Sequence, residues 1–195
     1  MGTSTPLFPF GFGLSYGTHS LVGPVTVNNS GLSDGSGGVS VSACLAATAD
    51  SPAANITVQL YARDPVLDVV RPYRRLASWT RVAPPANSAD VSPGAAPCAG
   101  GGAAPVEITF DAFDALAFYD PDAVRRLHGG QYTLYMGFNE LDGEALVANL
   151  TVTSEQAAQL TASCNASSNS SNDKATPRRD KSSAGPRASL SRSAW

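Results

Sequence analysis

Residues 56–63 alternate strictly. Ile56, Val58, Leu60 and Ala62 fall on one side, and Thr57, Gln59, Tyr61 and Arg63 on the other. This is the period-two pattern of a strand with one buried face. Asp64-Pro65 ends it, because proline donates no ladder hydrogen bond and biases the preceding residue away from the helical region. Leu76, Trp79 and Val82 then supply apolar anchors for a return strand, Trp79 expected inside, with Arg75 and Arg81 left to reach solvent or a neighbouring domain.

The same rhythm marks further strands on both sides of this pair. Val22 to Asn28 reads as a first strand, ended by the turn formers of 28–31 and 33–38. Val39, Val41, Ala43 and Leu45 alternate with Ser40, Ser42 and Cys44, a half-buried strand with small residues outward. After Val82 a Gly/Ala/Pro-rich insertion runs to Pro105 and is expected to be disordered, since structureless loops beyond about 12–15 residues are uncommon in compact domains. Val106, Ile108 and Phe110 resume the alternation, and Phe113 and Leu116 continue the apolar side. Asp122 to Leu127 reads as one helical turn, followed by a strand through Tyr132, Leu134 and Met136 and a last one over 146–152. Short strands at regular spacing with Gly, Pro and Asn turns predict an all-β, antiparallel immunoglobulin-like β-sandwich. The boundaries implied are an aromatic segment over 1–20, the sandwich over 21–153, and a Ser/Asn-rich basic tail over 154–195 expected to be disordered but for a helical turn at Glu155–Leu160.

Composition narrows the functional classes. In 195 residues the formal net charge is −3 and the basic side chains of the tail are dispersed, which gives no basis for a nucleic-acid partner. No apolar run approaches the roughly 20 residues a spanning helix needs, so no membrane partner is expected either. Three cysteines, Cys44, Cys98 and Cys164, fit no zinc or redox spacing. One disulfide with a free thiol, or three incidental thiols, are both open. His19 and His128 are the histidines of the chain and stand in no metal-ligand spacing, no G-x-S-x-G elbow occurs, and no phosphate-cradling glycine loop follows a strand. Neither cofactor nor metal is expected. Five Asn-x-Ser/Thr acceptors, Asn28, Asn55, Asn149, Asn165 and Asn169, are candidate glycosylation sites. They suggest an extracellular or secretory destination, although no basic segment followed by an apolar core stands at the N-terminus and any export signal would precede this sequence.

Phe8, Phe10, Phe12 and Tyr16, separated by Pro9, Gly11 and Gly13, are too broken for a helix and too aromatic for a free linker. Such rings either fold back over the sandwich's own edge or lie against a missing partner domain. The run Pro6-Leu7-Phe8-Pro9-Phe10-Gly11-Phe12-Gly13-Leu14-Ser15-Tyr16 resembles the P-F-G-x-G-L-S-Y segment of glycoside hydrolase family 3 enzymes, the β-glucosidases and β-xylosidases. There it leads into a C-terminal fibronectin type III-like domain. Gln59 to Pro65 with Arg71-Pro72, Leu76, Trp79 and Arg81-Val82 is similar to that domain's Q-L-Y-x-R-D-P…V-x-R-P…L-x-x-W/F-x-R-V pattern. Leu116 to Asp120 followed by Gly130 to Gly137 resembles its closing L-x-F-Y-D and G-x-Y-x-x-x-x-G.

The resemblance covers about residues 6–153 and implies a module of an enzyme that cleaves β-glucosides or β-xylosides during cell-wall polysaccharide breakdown. Retaining hydrolysis needs two carboxyl groups about 5–5.5 Å apart. In that family both come from domains upstream of this segment, so no catalytic residue is expected here. Asp64, Asp68, Asp111, Asp114 and Asp120 are read as turn caps and solvated charges. The expected partners are the catalytic domains of such a hydrolase, met through Phe8, Pro9, Phe10, Phe12, Tyr16, Arg71, Arg74 and Arg75. The alternative is a free-standing, non-catalytic β-sandwich that binds carbohydrate or protein, and fold alone does not decide between the two.

Overall fold

The structure is a computed structural model that describes residues 6–47, 52, 54–65, 71–83, 98 and 103–172. In chain order the elements are β1 (His19–Asn28), α1 (Ser30–Ser33), β2 (Gly38–Ala47), β3 (Ile56–Arg63), β4 (Arg75–Val82) and β5 (Ala103–Asp111). There follow α2 (Ala112–Leu116), β6 (Phe118–Tyr119), β7 (Arg125–Arg126), β8 (Gly130–Gly137), β9 (Leu146–Val152) and α3 (Ser154–Asn172). The long strands make two antiparallel sheets, one in the order β1-β2-β5 and one in the order β4-β3-β8-β9, with β6 and β7 as a separate ribbon. This is the antiparallel β-sandwich that the alternation predicts.

The core lies between the sheets and follows the period-two arithmetic. Val39, Val41, Ala43 and Leu45 of β2 meet Ile56, Val58, Leu60 and Ala62 of β3, with Val106 and Ile108 from β5, Tyr132, Leu134 and Met136 from β8, and Leu150 and Val152 from β9. Each large side chain so buried contributes roughly 1.5–3 kcal/mol, enough in sum to hold the sheets face to face. β3 is buried on its second face too, where Gln59 and Tyr61 lie under the N-terminal segment.

Several local expectations are corrected. The first strand starts at His19 rather than Val22, and it passes through Gly23-Pro24 by a break in register between Val22 and Thr26. A proline without a ladder donor is tolerated there because β1 is an edge strand. Residues 122–127 form no helical turn: Asp120 N–H donates to the Val124 carbonyl, and Arg126 reaches both Asp120 and Asp122, which closes a hairpin between β6 and β7. The short helix α2 was not anticipated, yet its signal is in the sequence, since the Asp111 side chain accepts from the Asp114 N–H as an N-cap.

The stretch after Ser154 is the largest correction. A 19-residue helix stands where a single turn was expected. Thr153 and Gln156 form a reciprocal capping box, with Thr153 Oγ1 accepting from the Gln156 N–H and Gln156 Oε1 accepting from the Thr153 N–H. Ala157 and Leu160 are buried in the core, and Thr161 Oγ1 accepts from the Leu127 N–H. The first turns of α3 are therefore part of the sandwich, and residues 173–195 of the basic tail lie outside the described residues.

Candidate functional site

The aromatic leader is fixed by its backbone. Phe12 N–H donates to the Pro9 carbonyl at 3.0 Å, and Gly11 sits at φ 79°, so residues 9–12 make a turn whose third position requires positive φ. A Cβ at Gly11 would collide with Gln59 and Tyr61, so glycine is needed for close approach as well as for conformation. Gln59 Nε2 donates to the Gly11 carbonyl at 2.9 Å and to the Phe138 carbonyl at 3.0 Å. The Phe10 carbonyl accepts from the Glu140 N–H at 3.0 Å and lies 3.2 Å from the Tyr61 hydroxyl, which donates to Gln59 Oε1 at 2.5 Å. Burial, with the charge of Glu140 adding to it, pushes the Tyr61 phenol up to about 12, so its hydroxyl remains protonated at any ordinary pH.

The rings of the leader go the other way. Phe10 is 63% exposed and Tyr16 97%, and Phe8, Phe12, Leu7 and Leu14 are exposed beside them. Phe10 meets Tyr61 edge to face at 6.5 Å and Phe8 packs on Phe12 at 5.1 Å, contacts that order the rings without covering them.

Trp79 is on the outer side of β4, beside the leader, against the expectation that it would be buried. The ladder of β3 with β4 is irregular at Leu60/Tyr61: Leu60 faces Ser78, but Tyr61 faces Leu76, so Ala77 is an extra residue. That bulge places Leu76 and Trp79, three positions apart, on one side of the sheet. The side is the outer one, because Trp79 stands opposite Gln59 and Leu76 opposite Tyr61, and Trp79 is 57% exposed. Ser78 faces inward instead, its hydroxyl donating to the Thr109 carbonyl on the facing sheet.

The arginines divide into two groups. Arg71 and Arg75 close on one carboxylate, Asp64, at 2.7 and 2.9 Å, with side-chain exposures of 12% and 24% against 9% for Asp64. Arg75 also donates to the carbonyls of Leu116 and Ala117 at the end of α2. Arg71 lies over the ring of Phe118, which stacks on His128. The ionic partner that Arg71 and Arg75 find among the described residues is thus on this chain. Arg74 belongs to the leader face, stacked 3.7 Å from the Tyr135 ring and donating to the Glu140 carbonyl at 2.6 Å.

The remaining aspartates have structural partners as well. Asp111 caps α2, Asp114 pairs with Arg125, and Asp120 accepts from Arg126 and pairs with His128, while Asp68 lies outside the described residues. Burial works against the Asp120 charge, but its hydrogen bonds to His128 and Arg126 outweigh burial and hold the carboxyl below the usual range. Cys44 and Cys98 form a disulfide, which resolves the alternatives left open for the thiols, and Cys164 is free. Of the Asn-x-Ser/Thr acceptors, Asn28, Asn55 and Asn149 are exposed and Asn165 is half-buried on α3, while the Asn169 side chain lies outside the described residues.

Comparison with known proteins puts these features in context. No family model matches the chain. Over 144 residues it is 31% identical to a β-glucosidase of Rhizobium radiobacter, an alignment that takes in 73% of this chain and 15% of that enzyme. Among solved structures, the family 3 β-glucosidase of Bifidobacterium adolescentis superposes with a TM-score of 0.56 at 27% identity, over 74% of this chain and 18% of the other. The chain is homologous to family 3 β-glucosidases over this part of its length. DesR, a β-glucosidase from Streptomyces venezuelae solved with D-glucose, shares the fold with a TM-score of 0.58 at 23% identity, over 76% of this chain and 16% of the other. The chain therefore spans less than a fifth of each of these relatives.

Proposed function

We propose that this chain is the C-terminal fibronectin type III-like module of a family 3 β-glucosidase, a non-catalytic part that steadies the enzyme by packing its leader face on the catalytic domains. The observation that carries the reading is the leader itself: its backbone is pinned to Gln59, Tyr61 and Glu140, while Phe8, Phe10 and Phe12 point away from the sandwich. Each phenylalanine left in water forgoes roughly 1.5–3 kcal/mol that a covering surface would return. A domain that orders its rings outward is arranged to be covered.

The homology supports the choice of enzyme, since it falls on a small share of much longer β-glucosidases. A three-on-four antiparallel sandwich is the architecture the reading requires. The described aspartates are engaged in caps and ion pairs, which fits a module that supplies neither carboxylate of the hydrolysis. The Cys44–Cys98 disulfide and the exposed glycosylation acceptors favour an extracellular or secretory setting.

The purified chain, assayed on aryl β-glucosides and β-xylosides, is expected to show no turnover. Hydrolysis that survives removal of contaminating enzymes and disappears when an aspartate of this chain is replaced would overturn the proposal.

A further inference from the structure

A groove of about 730 Å³ runs between the leader and the β3–β4 pair, a size within the range of small-ligand sites. Thr57, Gln59, His19 and Arg81 are among its lining residues. Gln59 is already committed to the leader, but Arg81 makes no ion pair or hydrogen bond among the described residues. The Nε2 of His19 has no hydrogen-bond partner there either.

Trp79 is outside the lining of this groove but next to it on β4, through Arg81. It stands opposite Gln59 on the ladder, and Arg81, two residues on and opposite Thr57, shares its face. Neighbours at that spacing on one strand lie about 7 Å apart, close enough for one ligand to touch both. The β3–β4 bulge turns the indole outward, where the core makes no use of it. With Leu76 on the same side it leaves two large apolar side chains exposed together on an edge strand, and a patch of this kind marks a binding surface.

We infer that this groove, together with the outer surface of β4 beside it, is a saccharide site, in which Trp79 stacks on a pyranose ring of a β-linked gluco-oligosaccharide while Arg81 and Thr57 hydrogen-bond its hydroxyls. A β-linked glucose ring carries its hydroxyls equatorially, which leaves flat C–H faces for an indole and a polar rim for a guanidinium. The leader crosses β3 through Gln59 and Tyr61, so the outer side of β4 stays open beside it. The choice of a gluco-configured sugar rests on the module reading above, whereas the place of the site rests on the groove and on Trp79.

The test is titration of the disulfide-bonded 195-residue chain with cellohexaose, followed by intrinsic fluorescence and by the indole N–H resonance of Trp79. Saturable binding is expected. Trp79→Ala should weaken it about tenfold and Arg81→Ala several-fold, with unchanged melting temperatures. Tyr119→Ala, on the exposed ring of β6, should leave binding as it is. Absence of saturation at millimolar ligand, or affinity indifferent to Trp79→Ala, overturns the site. So does saturation by a glucuronic acid oligomer in place of cellohexaose, which would give Arg81 a carboxylate to bind. A chain that binds no saccharide yet completes a β-glucosidase sinks this site alone; one that binds saccharide without completing the enzyme sinks the module reading alone.

Discussion

The two sheets turn opposite kinds of surface outward. Over β1, β2 and β5 the outward positions are small and hydroxyl-bearing, with Thr26, Ser40, Ser42 and Thr109 around Glu107. Over β4, β3, β8 and β9 they include Leu76, Trp79, Tyr135 and Val147, and the rings of Phe8, Phe10 and Phe12 stand above them. One chain and one architecture thus carry a face suited to water and a face suited to being covered. The difference lies in sequence choices that the core does not dictate, because both faces are outside it. Outward positions are where such a fold is free to vary, so a concentration of aromatics on one of them points to binding more than to stability.

The largest effect should come from the charged corner of the four-stranded sheet. Asp64→Ala strands two part-buried guanidinium groups, and a loss of about 3–5 kcal/mol in denaturant unfolding is expected. A loss below about 1 kcal/mol would mean that Arg71 and Arg75 do not depend on Asp64 and are available to a neighbour.

Next comes the pin that fastens the leader. Gln59→Ala removes the donor to the Gly11 and Phe138 carbonyls and the acceptor of the Tyr61 hydroxyl, for about 1–3 kcal/mol. It should also raise amide exchange over residues 9–12, and unchanged exchange there would show that the leader is held by something other than these bonds.

The smallest effect is the sharpest for the comparison. Trp79→Ala and Thr109→Ala, one from each outer face, should both leave stability within about 0.5 kcal/mol, as exposed positions do. A loss of about 3–5 kcal/mol at Trp79 would restore it to the core and undo the bulge assignment.

Much of this was legible in the sequence, and the failures have physical causes. Alternation placed β2, β3, β5, β8 and β9, because their inner residues keep strict period two against a continuous core. It failed on β4, where one inserted residue, Ala77, shifts the phase and carries Trp79 from the expected inner face to the outer one. Nothing in Leu76-Ala77-Ser78-Trp79 announces a bulge, since its position is set by pairing with β3. Helix α2 escapes the pattern, and α3 is legible only as a turn, for a different reason. Asp111 and the Thr153/Gln156 pair are cap signals, but the helices they open are short or polar, and a hydrophobic rhythm shows neither in full. The leader's rings were legible as an anomaly. Which way they point was not, because hydrogen bonds to the leader's carbonyls from the Gln59 side chain and the Glu140 N–H decide it.

The central claim is that the leader face completes a larger hydrolase. The most direct measurement grafts this chain into the Rhizobium radiobacter β-glucosidase in place of the region it aligns with, and compares the graft with the enzyme lacking that region. The graft is expected to recover β-glucosidase activity and thermal stability that the truncated enzyme has lost, and a Phe8, Phe10, Phe12→Ser version of the same graft should lose the recovery while its sandwich stays folded. A graft no better than the truncation, or one indifferent to the three phenylalanines, would contradict the account.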